Sequence, residues 1–156
     1  MSRTEIALHD AFRATLTALS RPGLALAVPG AADAAAAARL VVDAVWEPDA
    51  PPVVITGAPG PGALAALPVG TEEEPELGAT VLVVVGAGTA TTRARLAGPG
   101  VDGELVTDLP LAAGTLAERA AACADWPRGI DLLLVGPGPR IVGLPRTTRV
   151  SVLAAG

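Results

Sequence analysis

At 156 residues the chain is long enough for one domain with a sizeable core and too short for two of ordinary size. All eleven basic residues are arginine, so no side chain can form a Schiff base with pyridoxal phosphate or a carbonyl substrate, or act as a P-loop lysine. A net charge of −5 with no basic stripe excludes a general nucleic-acid binder, because a groove that tracks phosphates needs clustered cations.

Residues 5–19 have the pattern of an amphipathic helix. Leu8, Phe12, Leu16 and Leu19 recur at helical spacing and are expected to share its core face. Ser2 and Glu5 have capping-box spacing, and Pro22-Gly23 stops the helix after Ser20. A short strand is expected over 24–28. Asp33 can cap a second, alanine-rich helix to about Val45, with Leu40, Val41 and Val45 facing a core. Residues 53–56 suit a brief strand, 57–62 a Gly/Pro loop, and 63–67 one helical turn. Glu72, Glu73, Glu74 and Glu76 around Pro75 form an acidic loop.

The continuous apolar run 79–85 is expected as a central strand buried on both faces, with 93–96 as an adjoining strand. Thr115 and Glu118 have capping-box spacing and are expected to open a helix to about Asp125, ended by Trp126-Pro127-Arg128-Gly129. Residues 130–135 form a second buried strand, Gly136 to Pro139 a turn, 140–144 a returning strand and 148–153 a last one. Helices interleaved with buried strands and hairpins predict a single α/β domain over 1–156, a sandwich with a mixed β-sheet.

The lone Cys123 permits no internal disulfide, which suits a reducing cytoplasm. The first nineteen residues carry polar side chains throughout and lack a signal-peptide block. The longest apolar run is too short to span a bilayer, so a soluble cytoplasmic protein is expected. His9 is the only histidine, which rules out a His–His metal site within one chain, and no metal site is expected. No nucleophile motif of the Gly-x-Ser-x-Gly kind occurs. A Cys123–His9 pair has nothing in its favour, and no catalytic residue is assigned.

Gly60, Gly62 and Ala65 loosely fit a dinucleotide-binding loop, but Pro59 and Pro61 remove amides that such a loop would use. Asp131 is more informative. It enters an otherwise apolar strand, where a carboxylate needs a partner. Arg146 lies between Pro145 and two hydroxyl residues, Thr147 and Thr148, at a bend between strands. Two readings stay open: a structural Asp131–Arg146 pair, or an anionic phosphate-ester or nucleotide site around Arg13, Asp131, Arg146, Thr147 and Thr148.

Three segments go beyond composition: Phe12-Arg13-x-x-Leu16-x-x-Leu19-Ser20-x-Pro22-Gly23; Leu96-Ala97-Gly98-Pro99-Gly100-Val101; and Trp126-Pro127-x-Gly129-Ile130-Asp131-Leu132 followed by Leu144-Pro145-Arg146-Thr147-Thr148-x-Val150. In this order they resemble the PhnH family of the carbon–phosphorus lyase machinery. The resemblance implies a three-layer α/β sandwich, its mixed sheet flanked by helices, related to a reduced pyridoxal-phosphate transferase domain without its cofactor. It implies a homodimer in isolation and membership of a core complex with PhnG, PhnI and PhnJ. That complex, together with PhnL, is implied to make ribose 1-methylphosphonate 5-triphosphate from ATP and methylphosphonate. The role implied for this chain is mainly structural, in a multi-subunit transferase or lyase, with no cofactor and no complete active site of its own. Between Trp46 and Val53 the chain is shorter than the family pattern.

Overall fold

The computed structural model describes residues 1–67, 69 and 78–154. In chain order the elements are α1 (Arg3–Ser20), β1 (Leu26–Ala27), α2 (Ala34–Val45), β2 (Val53–Thr56), β3 (Ala79–Val84) and β4 (Thr92–Ala97). There follow β5 (Glu104–Leu109), α3 (Ala113–Ala122), β6 (Ile130–Val135), β7 (Arg140–Leu144) and β8 (Arg149–Val152). The expected acidic loop at Glu72–Glu76 lies outside the described residues.

α1 opens on its capping box. The Ser2 hydroxyl accepts from the Glu5 N–H, and the Glu5 carboxylate accepts from the Ser2 N–H. These bonds hold Glu5 below the usual carboxylate range. The buried face is not the expected one. Ala11, Thr15 and Ala18 point inward, while Phe12 and Leu16 stand 40% and 52% exposed. The cause is close approach: a methyl group on Gly143 of β7 would collide with the Ala18 carbonyl, so only small residues fit where helix meets strand. α2 starts at Asp33, whose carboxylate accepts from the Ala36 N–H 2.8 Å away. Its buried stripe is Ala37, Ala38 and Val41; Leu40 and Val45, expected in the core, are only half-buried.

Five strands form a mixed sheet in the order β1-β7-β6-β3-β2. β2, β3 and β6 run parallel, and β7 and β1 join antiparallel. β3 and β6 are central and buried on both faces, as a continuous apolar run requires. Leu82, Leu133, Val135 and Ile141 meet α1 and α2 on one face. Val81, Val83, Leu132 and Leu134 on the other face meet Ala94, Leu96, Leu109 and Leu116.

That second face corrects the expectation of a single sheet flanked by helices. It is covered largely by a separate antiparallel sheet, ordered β5-β4-β8, with α3 against β8. β4 therefore does not adjoin β3; it pairs with β5 and β8. β5 was not anticipated, because most of its residues are exposed and its sequence shows no clean alternation. α3 also begins differently from the expectation. Its N-cap is Ala112 with no side-chain bond, and Thr115 is buried within the helix.

Candidate functional site

The chain crosses from the five-stranded to the three-stranded sheet at Pro145-Arg146-Thr147-Thr148, between β7 and β8. A bond from the Thr148 N–H to the Pro145 carbonyl, 2.8 Å long, closes the bend. Asp131, second residue of β6, holds it from one side. Its carboxylate accepts from the Arg146 backbone N–H at 2.6 Å, from Nη2 at 2.8 Å, and from Nε at 3.3 and 3.4 Å. Arg146 Nη1 donates to the Pro127 carbonyl at 3.2 Å. About a fifth of each side chain meets solvent, so the pair is screened less than a surface ion pair. Its hydrogen bonds to Asp131 raise the Arg146 pKa above its ordinary value.

Arg119, which no sequence motif marks, holds the bend from the other side. It is 1% exposed, and its guanidinium donates to the carbonyls of Thr148 at 3.1 Å, Pro145 at 2.5 Å and Leu144 at 3.3 Å. Burial lowers its pKa, although a guanidinium stays protonated throughout the working range. Its Nε and the Thr148 hydroxyl are buried without hydrogen-bond partners. The one signal in the sequence was a charged residue on the same stripe as Thr115 and Leu116.

Thus the structure brings Asp131, Arg146, Thr147 and Thr148 to one corner. Arg13 is elsewhere: it is exposed on α1, beside Asp10, Thr17 and Leu26. Leu26 pairs with Ile141, toward the end of β7 away from Arg146. Cys123 lies near the corner, where its Sγ accepts from the Ile130 N–H at 3.4 Å; His9 is exposed on α1. Among the described residues no three of His, Cys, Asp and Glu converge as metal ligands.

The Gly60–Ala65 turn also has an assigned partner. The N–H groups of Gly62, Leu64 and Ala65 donate to the Glu118 carboxylate at 2.7, 3.1 and 3.2 Å. The amides that might have held a pyrophosphate hold a side chain of α3 instead. Glu118, expected in a capping box, is held below the usual carboxylate range by these bonds, first by that from Gly62.

The three segments quoted above meet in space. A methyl group on Gly98 would lie 2.8 Å from the Thr147 carbonyl, and one on Gly100 would collide with the Ser20 carbonyl. The second segment is therefore wedged between the first and the third, and glycine is required where their backbones touch. Comparison with known proteins agrees. The family model described as "Bacterial phosphonate metabolism protein (PhnH)" matches residues 34–151. A Stutzerimonas stutzeri protein, provisionally described as the C-P lyase subunit protein HtxG, is 37% identical over 100 residues. That match covers 63% of this chain and 51% of the relative, so the chain spans about half the length of the protein it matches. With well over half of its residues under the family model and its motif segments packed against one another, the chain belongs to the PhnH family of bacterial phosphonate metabolism proteins.

Proposed function

We propose that this chain is a structural subunit of a carbon–phosphorus lyase core complex, without a complete active site of its own. The observation that carries this reading is the closed Asp131–Arg146 pair. The carboxylate accepts from the backbone and both sides of the guanidinium fork, and the remaining fork nitrogen reaches the Pro127 carbonyl. Such bonding fixes the crossover between the sheets and leaves the phosphate-binding geometry of the guanidinium committed to protein.

In this proposal the protein is cytoplasmic and acts with PhnG, PhnI and PhnJ. The complex joins methylphosphonate to the ribose of ATP: a phosphonate oxygen bonds to the anomeric carbon, adenine leaves, and the triphosphate is retained. This subunit supplies packing surface. Its kinship with a pyridoxal-phosphate transferase domain that lost its cofactor is part of the same reading, supported by the parallel β2–β3–β6 core and the absence of lysine.

Co-expression with its own PhnG, PhnI and PhnJ tests the proposal. The chain is expected to co-purify with them, and its failure to do so would sink the idea. Calorimetry of the isolated chain with ATP, methylphosphonate and ribose phosphates is expected to be silent. Binding that Arg146→Ala abolishes, with the fold intact, would instead establish an anionic-ligand site at this corner.

A further inference from the structure

We propose that Cys123 is a modification site: hydrogen peroxide converts its thiol to a sulfinate, which Arg119 and the Thr148 hydroxyl then hold. The inference does not depend on membership of any complex. It starts from Arg119, which is 1% exposed and whose guanidinium bonds all go to backbone carbonyls among the described residues. Carbonyls satisfy N–H groups but do not cancel a charge, and Arg119 makes no ion pair among the described residues. The groups whose negative charge acts on it are Cys123 first and Asp131 second. Asp131 is already bonded to Arg146. That leaves the sulfur of Cys123 beside a buried cation.

The geometry supplies donors and room. The Cys123 N–H donates to the Arg119 carbonyl at 3.0 Å, which sets the two side chains one turn apart on the same face of α3. The sulfur accepts from the Ile130 N–H at 3.4 Å and lies 3.7 Å from the Ile130 carbonyl. A methyl group on Gly129 would lie 3.1 Å from the sulfur, so the absence of a side chain there leaves space beside it. Cys123 is half-buried, which admits a small oxidant. Two donors of this corner lack acceptors, Arg119 Nε and the hydroxyl of Thr148, a residue 2% exposed. A thiol is a weak acceptor, and each oxygen added to the sulfur is a stronger one. In the reaction the deprotonated sulfur attacks one peroxide oxygen. The S–O bond forms, the O–O bond breaks, and the departing hydroxide takes up the thiol proton as water. Sulfur loses two electrons and the peroxide gains them, giving the sulfenic acid. A second peroxide repeats the transfer, and loss of a proton gives the sulfinate. Its charge offsets that of Arg119, and its oxygens accept from Nε and the Thr148 hydroxyl.

The test treats the full chain with hydrogen peroxide and follows Cys123 by peptide mass spectrometry, with glutathione as the reference thiol. Cys123 is expected to gain two oxygen atoms about tenfold or more faster than the reference, and the oxidised chain to melt higher than the reduced one. Cys123→Ser controls for oxidation at Met1 and should show no rise in melting temperature. Thr148→Val keeps the shape and removes one donor, so the rise on oxidation should shrink. Arg119→Met should abolish it; if that variant does not fold, Thr148→Val decides. Oxidation of Cys123 at or below the reference rate, or arrest at one oxygen, overturns the proposal. So does an oxidised chain that melts no higher than the reduced one, or a rise that Thr148→Val leaves unchanged.

Discussion

At the scale of single residues, the corner between the sheets depends on two charged side chains with opposite tasks. Asp131 gathers N–H groups, and Arg119 gathers carbonyls. Asp131→Asn keeps the shape but removes the charge that three donor groups of Arg146 share. It is expected to lower stability by about 2 kcal/mol, read as a shift in the urea midpoint; an unchanged midpoint would show the pair to be solvated. Glu118 offers a pH test. Its folded-state pKa lies below its unfolded value, so its stabilisation is fully present above the ordinary 4.5 and is lost as pH falls through the folded value. Glu118→Gln should therefore be less stable than wild type at neutral pH, with the gap closing in acid. A gap that is constant with pH would mean the carboxylate's charge is irrelevant. Asp131 and Arg146 were legible in the sequence because a charge in an apolar strand must be paired. Arg119 and Glu118 were not, because their partners are backbone groups distant in sequence, and backbone leaves no residue-type signature.

At the scale of elements, α1 shows how packing distance overrides periodicity. Its spacing marks a helix, and its cap marks the start, but the face with the largest side chains is not the one that packs. Gly143→Ala pushes a methyl group into the Ala18 carbonyl and is expected to destabilise by about 3 kcal/mol. Leu16→Gln, on the exposed face, should change stability by no more than about 0.5 kcal/mol. Thermal melts of both variants check this, and a larger loss for Leu16→Gln would restore the large-residue face as the packed one. β5 and the grouping of β4 were illegible for a related reason. Strand alternation reports which side of a strand is buried, but not against which sheet. The central strands β3 and β6 were legible because burial on both faces demands an unbroken apolar run, which no surface element shows.

At the scale of the whole molecule, stability should be graded from the centre of the mixed sheet outward. Native-state hydrogen exchange is expected to be slowest in β3 and β6 and fastest along the edge strand β2. Exchange at β2 as slow as in β3 would count against this gradient. Among the described residues no helix is long and apolar enough to cross a membrane. By itself the sequence determined the α/β class, the capped first helix, the two buried strands, the lysine-free chemistry and the segments that mark the family. These are properties of residue type and local spacing. Tertiary structure alone decided that the core is shared between two sheets and that small residues face the core on α1. It also decided that Glu118 fills the Gly/Pro turn and that Arg119 and Asp131 grip one bend from opposite sides. Each of these depends on how closely two distant backbones approach, and that distance is set by the packing of the whole chain.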